Sequence, residues 1–272
     1  QQALRNDLRK YFAGIMTEET RESLRNTDQS SEIRKKIFLQ LGADGMLGLG
    51  WPVEYGGGGR PPSDQFILFD EAQRANCPMP FVTLNTVGPT IIEFGTEEQK
   101  QKYLPGILNG EIIFACGYSE PSAGTDLASL RTKAVKDGDE WVLNGEHVYV
   151  SGRGKPGFLL GPMKTDPDAP RHRNLGYFII PVPDWNPDTG STGLDGLSIY
   201  EMNLINGHDQ HNIVLNDVRI SGDNLFGGET QGWQVAGTTM ESEHGGRGKA
   251  FPIDTPVDNM IEHLGDANSD GI

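Results

Sequence analysis

The sequence contains little that would suit a metal ion or a membrane. Among 272 residues there are two cysteines, and Cys77 and Cys116 lie far apart, without the CxxC or Cys/His spacing of a metal site. Two such isolated cysteines are expected to remain reduced thiols. No run of about 18 apolar residues occurs, which argues against a membrane-spanning helix. We therefore expect a protein with neither a bound metal nor a membrane segment.

Positive charge is also scarce. Lys and Arg number 23 against 38 Asp and Glu, which gives a formal net charge of −15 at pH 7. Nucleic acids and anionic membrane surfaces are bound by clustered Lys and Arg, so we expect neither as a partner. The hydrophobic content of 36% predicts a soluble protein with a sizeable core. The first and last residues, Gln1 and Ile272, suggest a piece of a longer protein.

The first part of the chain has the period of amphipathic helices. Apolar residues recur three and four positions apart up to about Leu108, with breaks at Gly42 and Pro61. Thr96 and Gln99 form the signature of a capping box, in which each side chain satisfies a backbone donor at the start of a helix. The residues expected to face the core are Leu4, Leu8, Tyr11, Phe12, Ile33, Ile37, Phe38, Leu41, Phe66, Ile67, Phe69, Ala72, Tyr103 and Leu104.

After Gly110 the apolar period changes to two, which is typical of β-strands. Asn144-Gly145 predicts a two-residue hairpin turn, because a type I′ turn needs positive φ at both central residues. From Gln231 the helical period returns. Helices followed by strands indicate separate modules and argue against a Rossmann fold. The predicted strands are residues 112–118, 141–143, 147–150, 177–182 and 212–215.

Residues 118–126, Tyr-Ser-Glu-Pro-Ser-Ala-Gly-Thr-Asp, form a loop of small and hydroxyl-bearing residues after a predicted strand. Small side chains allow backbone N–H groups to approach a phosphate, and hydroxyl groups add donors without adding charge. The loop therefore suits an anionic ligand. On its own, however, a loop of this composition is more often a plain turn.

The loop resembles the FAD-binding signature of acyl-CoA dehydrogenases, and a second family motif follows at the family's spacing in residues 141–151. The resemblance covers nearly the whole chain. Further matches are residues 51–57, 94–100, 216–220 and 224–233. The implied fold is an α+β multidomain protein. It would have a helical N-terminal domain (1–110), a flavin-binding, β-barrel-like middle domain (111–228) and the first part of a C-terminal helical bundle (229–272).

The resemblance also implies where FAD binds. Tyr118 and Ser119 match positions beside the isoalloxazine ring, whereas Gly124 and Thr125 match positions near the pyrophosphate and the thioester. Tyr149 and Ser151 match the family's Trp and Thr, and an aromatic side chain can cover the flavin while a hydroxyl near N5 can stabilise negative charge. From strand alternation alone, Tyr149 would instead be a core residue. The complete set expected to bind FAD is Cys116, Tyr118, Ser119, Gly124, Thr125, Tyr149, Val150 and Ser151.

The implied reaction is the α,β-dehydrogenation of an acyl-CoA, with the β hydride passing to flavin N5. It needs a carboxylate over the α carbon. In much of the family this Glu lies in a region beyond Ile272, but in the isovaleryl and long-chain branches it lies where Glu243 matches. At about 100° per residue, Glu243 falls about 60° from Met240, on the edge of a stripe with Trp233 and Ala236. The alternative, which has equal weight, is that Glu243 is an ordinary solvent-exposed glutamate.

Substrate contacts are implied at Thr125, Glu241 and His244. Glu241 aligns with a family Asp that contacts the CoA portion, although solvent exposure is the alternative role for it. His244 replaces the family's Arg, and a neutral imidazole supplies one donor where a guanidinium supplies five. This difference predicts an altered geometry at that point of the site.

The pattern is most similar to bacterial acyl-CoA dehydrogenases of the steroid side-chain type, some of which are heterotetramers. It implies an acyl-CoA substrate, an electron-transferring flavoprotein as electron acceptor, and a homo- or hetero-tetramer with a related subunit. The expected location is the cytoplasm, or the mitochondrial matrix in a eukaryote. Two alternatives remain: a partner subunit that binds flavin or acyl-CoA without dehydrogenating it, and a relative of nitroalkane oxidase or flavin monooxygenase.

Overall fold

The computed structural model describes residues 1–25, 27–151, 155–204 and 209–243, together with residues 260, 261 and 264. As expected, helices come first, then strands, then a helix. The helices are α1 Gln2–Ile15, α2 Glu18–Arg25, α3 Thr27–Ala43, α4 Pro62–Arg74, α5 Gly88–Phe94, α6 Glu97–Leu108 and α7 Gly232–Glu243, with a π-helical segment at Val82–Val87. The strands are β1 Phe114–Cys116, β2 Lys133–Asp137, β3 Glu140–Ser151, β4 Phe158–Lys164, β5 Leu175–Pro181, β6 Leu197–Asn203, β7 Asp209–Ser221 and β8 Leu225–Phe226. Within these described ranges, no helix combines the length and apolar character needed to cross a bilayer.

The N-terminal helices pack through the apolar faces that the sequence predicts. Phe12 of α1 and Leu41 of α3 are fully buried in one cluster with side chains of α4 to α6. The same cluster takes in one face of β5 and reaches Val235 and Ala236 of α7. As a result, α7 lies on the N-terminal helices and on the sheet at the same time.

The predicted capping box at the start of α6 is confirmed. The backbone N–H of Gln99 donates to Thr96 Oγ1 at 3.2 Å, and the Thr96 N–H donates to Gln99 Oε1 at 3.1 Å. Gln99 Nε2 also donates to the carbonyls of Asp223 and Leu225, each at 2.9 Å. One side chain therefore both begins α6 and ties it to the segment that leads into α7.

Two buried acidic residues of α4 hold α1 in place. Asp70 and Glu71 are 4% and 1% exposed. Arg5 donates to both carboxylates, and Arg9 Nε donates to Glu71 Oε2 at 2.8 Å. Burial acts to raise the pKa of Glu71, but hydrogen bonds from Arg9 and Arg5 outweigh it, so the pKa lies below its ordinary value of 4.5. The carboxylate of Glu71 is therefore more stable in the folded protein than in the unfolded chain.

Replacing Glu71 with Gln should lower the free energy of unfolding by about 2 kcal/mol near neutral pH, because charge-assisted bonds from Arg5 and Arg9 are lost. Because the folded pKa is depressed, this contribution is complete above the unfolded pKa and is lost as the pH falls through the folded value. Urea unfolding near pH 7 and near pH 3 measures it, with the exposed Glu22→Gln as the control. A stability loss of the same size at both pH values would contradict the assignment.

The strands form one eight-stranded sheet in the order β6-β7-β3-β2-β4-β5-β8, with β1 paired in parallel to β4. A second apolar cluster lies against this sheet. Within it, the rings of Trp141 on β3 and Phe178 on β5 meet edge to face with centroids 5.3 Å apart, although β3 and β5 are not neighbours in the sheet. The sheet therefore curves around its own core, which agrees with the α+β, barrel-like expectation.

The predicted hairpin at Asn144-Gly145 is wrong. β3 passes through both residues without a break, and the turn lies at Gly138-Asp139 between β2 and β3, with Gly138 at φ 63°. Gly145 is required for a different reason, since a Cβ there would lie 2.3 Å from Thr132 Oγ1. Pairing of β3 with both β2 and β7 overrides the local turn preference of Asn-Gly.

The ladder between β3 and β7 is offset twice. Before Gly145 the extra residue lies on β7, around Asp217, and between His147 and Val150 it lies on β3, at Tyr149. Asp217 and Tyr149 have φ of 54° and 58°. Because a β-bulge re-aims a side chain, Tyr149 is turned outward and is 58% exposed. The core role that strand alternation alone predicts for Tyr149 is therefore wrong.

Candidate functional site

The loop at 118–126 is fixed by its own glutamate. Glu120 is buried, and its carboxylate accepts hydrogen bonds from the backbone N–H groups of Arg131 at 2.7 Å and Thr132 at 2.6 Å. The backbone N–H of Glu120 donates to the carbonyl of Ala123 at 2.7 Å, which closes a tight turn. These bonds hold the loop in shape before any ligand binds.

The outer half of the loop is open. Gly124 and Thr125 are exposed, and a Cβ added at Gly124 would meet no atom within 4 Å. Among the described residues, their backbone N–H groups donate to no acceptor of the chain. Two open amides beside a hydroxyl group suit an anionic ligand such as a pyrophosphate.

A hydrogen bond joins this loop to the bulge of β3. The Val148 N–H donates to the Ser119 carbonyl at 2.8 Å, one residue before the exposed Tyr149. Positive φ is rare for an aromatic residue, and such outliers concentrate at functional sites. The bulge therefore places the exposed ring of Tyr149 directly after Val148, which is hydrogen-bonded to the loop.

The other residues expected to bind FAD differ in what they can offer. Ser151 is exposed, whereas the side chain of Val150 is buried in the core of the sheet. The carbonyl of Val150 lies 3.2 Å from His211 Nδ1. Cys116 is buried on the side of β1 that faces the helical cluster. Val150 can therefore contribute to a ligand site through its backbone and not through its side chain.

A buried histidine lies against the loop. His147 is 3% exposed, and in the described part of the chain neither ring nitrogen has a hydrogen-bond partner. Burial lowers the pKa of His147 to about 4, although the nearby Glu120 acts in the opposite direction. A Cβ at Gly117 would lie 3.1 Å from His147 Cγ. A neutral imidazole thus packs directly against the start of the loop.

Helix α7 carries Glu243 within the arc of its buried face. Ala236 and Thr239 are fully buried, whereas Trp233 and Met240 are only half-buried. The buried face is therefore rotated relative to the predicted stripe. Glu243 follows Ala236 by seven residues and lies about 20° from it around the helix. It lies about 40° from Thr239, within the packed arc, and is itself half-buried.

The charge of Glu243 acts on the base of the loop. Burial raises the pKa values of Cys116, Tyr118 and Tyr177, and the negative charge of Glu243 raises all three further. Electrostatic coupling of this kind requires the groups to lie close together. Among the residues whose pKa values respond to the charge of Glu243 are two of the predicted FAD set, Cys116 and Tyr118.

The three residues expected to contact substrate have different surroundings. Thr125 and Glu241 are both exposed, and Glu241 points about 200° around α7 from Glu243. His244 lies outside the described residues. Among the residues that the structure describes, no group of three or more His, Cys, Asp or Glu side chains could hold a metal ion.

The loop between β4 and β5 contacts two parts of the site, which the sequence did not suggest. Arg171 forms an ion pair with Asp126 at the end of the candidate flavin loop. The ring of the next residue, His172, lies with its centroid 4.3 Å from that of Trp233 on α7, and His172 has φ of 72°. One short segment thus connects the flavin loop with the start of α7.

Residues 1–111 match the family described as acyl-CoA dehydrogenase, N-terminal domain. These residues therefore belong to that family, which confirms the resemblance to acyl-CoA dehydrogenases. Acyl-CoA dehydrogenase FadE26 of Mycobacterium tuberculosis (strain ATCC 25618 / H37Rv) is 40% identical over 249 residues, which cover 89% of this chain and 60% of that protein.

Two solved structures are also similar. The Tcur3481-Tcur3483 steroid ACAD matches with a TM-score of 0.79 and 43% identity, covering 89% of this chain and 62% of that one. The ChsE4-ChsE5 complex from Mycobacterium tuberculosis matches with a TM-score of 0.78 and 40% identity, covering 89% and 59%. The chain spans about 60% of the length of two curated relatives that it matches.

Proposed function

We propose that the intact protein is an FAD-dependent acyl-CoA dehydrogenase. The observation that carries this proposal is the preformed loop at 118–126, which leaves the backbone N–H groups of Gly124 and Thr125 open to an anionic ligand. A dehydrogenase of this kind needs a base and an electron acceptor on the two sides of one C–C bond. The loop would hold the acceptor, and Glu243 on α7 is the candidate base.

The residues of the chain fit the cofactor. The open amides of Gly124 and Thr125 would hold the pyrophosphate, and the Ser119 segment and the Tyr149 ring would contact the isoalloxazine. Tyr149 offers a broad apolar face without adding charge. When bound, FAD supplies the acceptor for the β hydride. The side chains of Ser151 and Cys116 would border the ring system.

Glu243 would remove the α proton. As a carboxylate it is a suitable general base once the thioester carbonyl makes the α proton acidic. It lies within the packed arc of α7 and is half-buried. Thr125 would contact the thioester end of the substrate and Glu241 the CoA portion, and His244 would also contact the substrate.

Substrate and partners follow from the similar proteins. We propose a CoA thioester of a steroid side chain, because the similar Tcur3481-Tcur3483 protein is a steroid ACAD. The ChsE4-ChsE5 complex is named for two subunits, so we propose a tetramer with a related second subunit. Electrons would leave through an electron-transferring flavoprotein.

The test uses the full-length protein, purified together with its related subunit. Under anaerobic conditions, a steroid side-chain acyl-CoA should bleach the absorbance of the oxidised flavin, and reduced nicotinamide should not. Bleaching by reduced nicotinamide without acyl-CoA would indicate a monooxygenase relative. Tight binding of acyl-CoA without bleaching would indicate a non-dehydrogenating subunit. Absence of bound FAD would contradict the proposal.

A further inference from the structure

The candidate flavin loop ends in a carboxylate. Asp126 directly follows Thr125, and both residues are exposed. A pyrophosphate carries negative charge on both of its phosphates near neutral pH, and a carboxylate beside the amides that bind it repels it. The chain as a whole also has a formal net charge of −15, which disfavours anions. A loop that holds a pyrophosphate here therefore needs a group that offsets the charge of Asp126.

The side chain of Asp126 does not make the local hydrogen bond that its position favours. Asp126 is the N-cap residue of the 3₁₀ turn Leu127–Ser129, where an aspartate commonly accepts a hydrogen bond from a backbone N–H of the turn. In the described part of the chain the Asp126 carboxylate makes no such bond. It accepts a hydrogen bond from Arg171 instead. The carboxylate is therefore directed to a distant residue and not to its own turn.

Arg171 is presented by a tight turn between β4 and β5. The Arg173 N–H donates to the Pro170 carbonyl at 2.9 Å, so Arg171 and His172 are its two central residues. We call residues 170–173 the β4–β5 turn. His172 has φ of 72°, as the second central position of a type II turn requires. Glycine or asparagine is usual at that position, so a histidine there needs a compensating contact.

The compensating contact is with α7. The ring of His172 lies at an interplanar angle of 40° to that of Trp233, with centroids 4.3 Å apart. Ahead of the turn, Thr165 Oγ1 donates to the carbonyl of Glu229 at 2.7 Å. The β4–β5 turn is therefore anchored on the residues that lead into and begin α7. Arg171 reaches Asp126 from a support that is already ordered.

The ion pair itself is open to solvent. The side chains of Arg171 and Asp126 are 57% and 59% exposed. Exposed ion pairs contribute little to the stability of a fold, so stability is a weak reason for this one. Its charges lie instead beside the open amides of the loop, where an anionic ligand would experience them.

We infer that Arg171 is a positioning residue for the pyrophosphate of FAD: it holds the Asp126 carboxylate and offsets its charge, so that the open amides of Gly124 and Thr125 can accept the anion. This inference rests on the proposed function, in which these amides hold FAD. It gives a role to the β4–β5 turn. It also connects cofactor binding with the start of α7, because the same turn contacts Trp233.

The test measures the affinity for FAD directly. The full-length protein is purified with its related subunit, freed of FAD and titrated with FAD by fluorescence. In low-salt buffer, Arg171→Ala should weaken binding about 10-fold, because the Asp126 charge is no longer offset. Arg171→Lys keeps the positive charge and should retain most of the affinity. In about 1 M salt, charges are screened within about 3 Å, so the Ala variant should bind nearly as the wild type does.

A second substitution separates offsetting a charge from binding FAD directly. Asp126→Asn removes the carboxylate and should bind FAD at least as tightly as the wild type. The double variant Arg171→Ala/Asp126→Asn should regain wild-type affinity to within about 3-fold, because the two effects are coupled. If the double variant binds FAD as weakly as Arg171→Ala, Arg171 does not act through Asp126, and the inference is overturned.

Arg219→Ala is the matched control for net charge. Arg219 of β7 is also an exposed arginine, paired with Asp137 and Glu140, and its loss should leave FAD affinity unchanged. Equal weakening in this variant would overturn the inference. Melting temperatures without FAD should be the same for all variants. Arg171→Gln also removes the charge, and it replaces Arg171→Ala if that variant fails to fold.

The two hypotheses can fail separately. If the wild-type protein binds no FAD, the proposed function is wrong and the inference fails with it. If the wild type binds FAD and Arg171→Ala binds it equally well in low salt, the inference is overturned and the proposed function stands. The same conclusion follows if Arg171→Ala weakens the binding of acyl-CoA to the holoenzyme but not the binding of FAD.

Discussion

Replacing Glu243 with Gln should slow the reduction of bound flavin by acyl-CoA about 1,000-fold, within the usual range for removing a general base. Gln has nearly the same shape, so the packing of α7 and the flavin loop should be retained. FAD should stay bound, because none of the residues that would hold it is changed. The loss should therefore appear in the rate of reduction and not in cofactor content.

Anaerobic stopped-flow absorbance measures this rate at saturating acyl-CoA. Glu241→Gln is the informative comparison, since Glu241 lies on the same helix but is exposed. It should raise the acyl-CoA concentration needed for half-maximal reduction and preserve most of the limiting rate. Rapid reduction of the Glu243 variant would show that the base lies elsewhere in the intact protein.

Replacing Gly124 with Asp should weaken FAD binding about 100-fold, because a carboxylate would face the pyrophosphate at close range. The backbone of Gly124 does not have positive φ, since this residue is not among the positive-φ glycines. A Cβ there meets no neighbour within 4 Å. The substitution should therefore spare the fold and act on the ligand alone.

Gly124→Ala provides the control, because it adds the Cβ without the charge. Retention of FAD through gel filtration, followed by a fluorescence titration with FAD, measures the affinity of both variants. Melting temperatures measured without FAD should match that of the wild type. If Asp and Ala weaken binding equally, the loop does not hold the pyrophosphate; if neither does, FAD binds elsewhere.

Local sequence patterns predicted those parts of the site that local patterns determine. The capping box at Thr96 needs only two side chains three residues apart, and the structure forms it as expected. The helical period from Gln231 located α7 and placed Glu243 near its packed face. The exact rotation of that face depends on contacts with β5 and the π-helical segment. For that reason, the apolar residues Trp233 and Met240 alone gave a stripe displaced from the true one.

Features that depend on pairing between distant strands could not be predicted from local sequence patterns. Asn144-Gly145 has the composition of a turn, but strands on both sides of β3 keep the backbone extended there. The exposure of Tyr149 results from a residue inserted relative to β7, and no local pattern reports such an offset. The hydroxyl of Tyr177 meets that of Tyr118 only after β1, β4 and β5 have paired. In the sequence, this contact was signalled only by the presence of one polar side chain, Tyr177, in the apolar strand β5.

The two offsets between β3 and β7 have opposite sense and cancel, so the ladder is in the same register before Leu143 and after Val150. Deletion of Tyr149 alone would leave the offset at Asp217 uncompensated, and the side chains that follow would turn to the wrong face of the sheet. Loss of Tyr149 together with Asp217 would instead leave an unbroken ladder with every other pairing intact. We expect relatives to gain or lose the two residues together, so that an extra residue in β7 marks which relatives present an aromatic ring at this bulge.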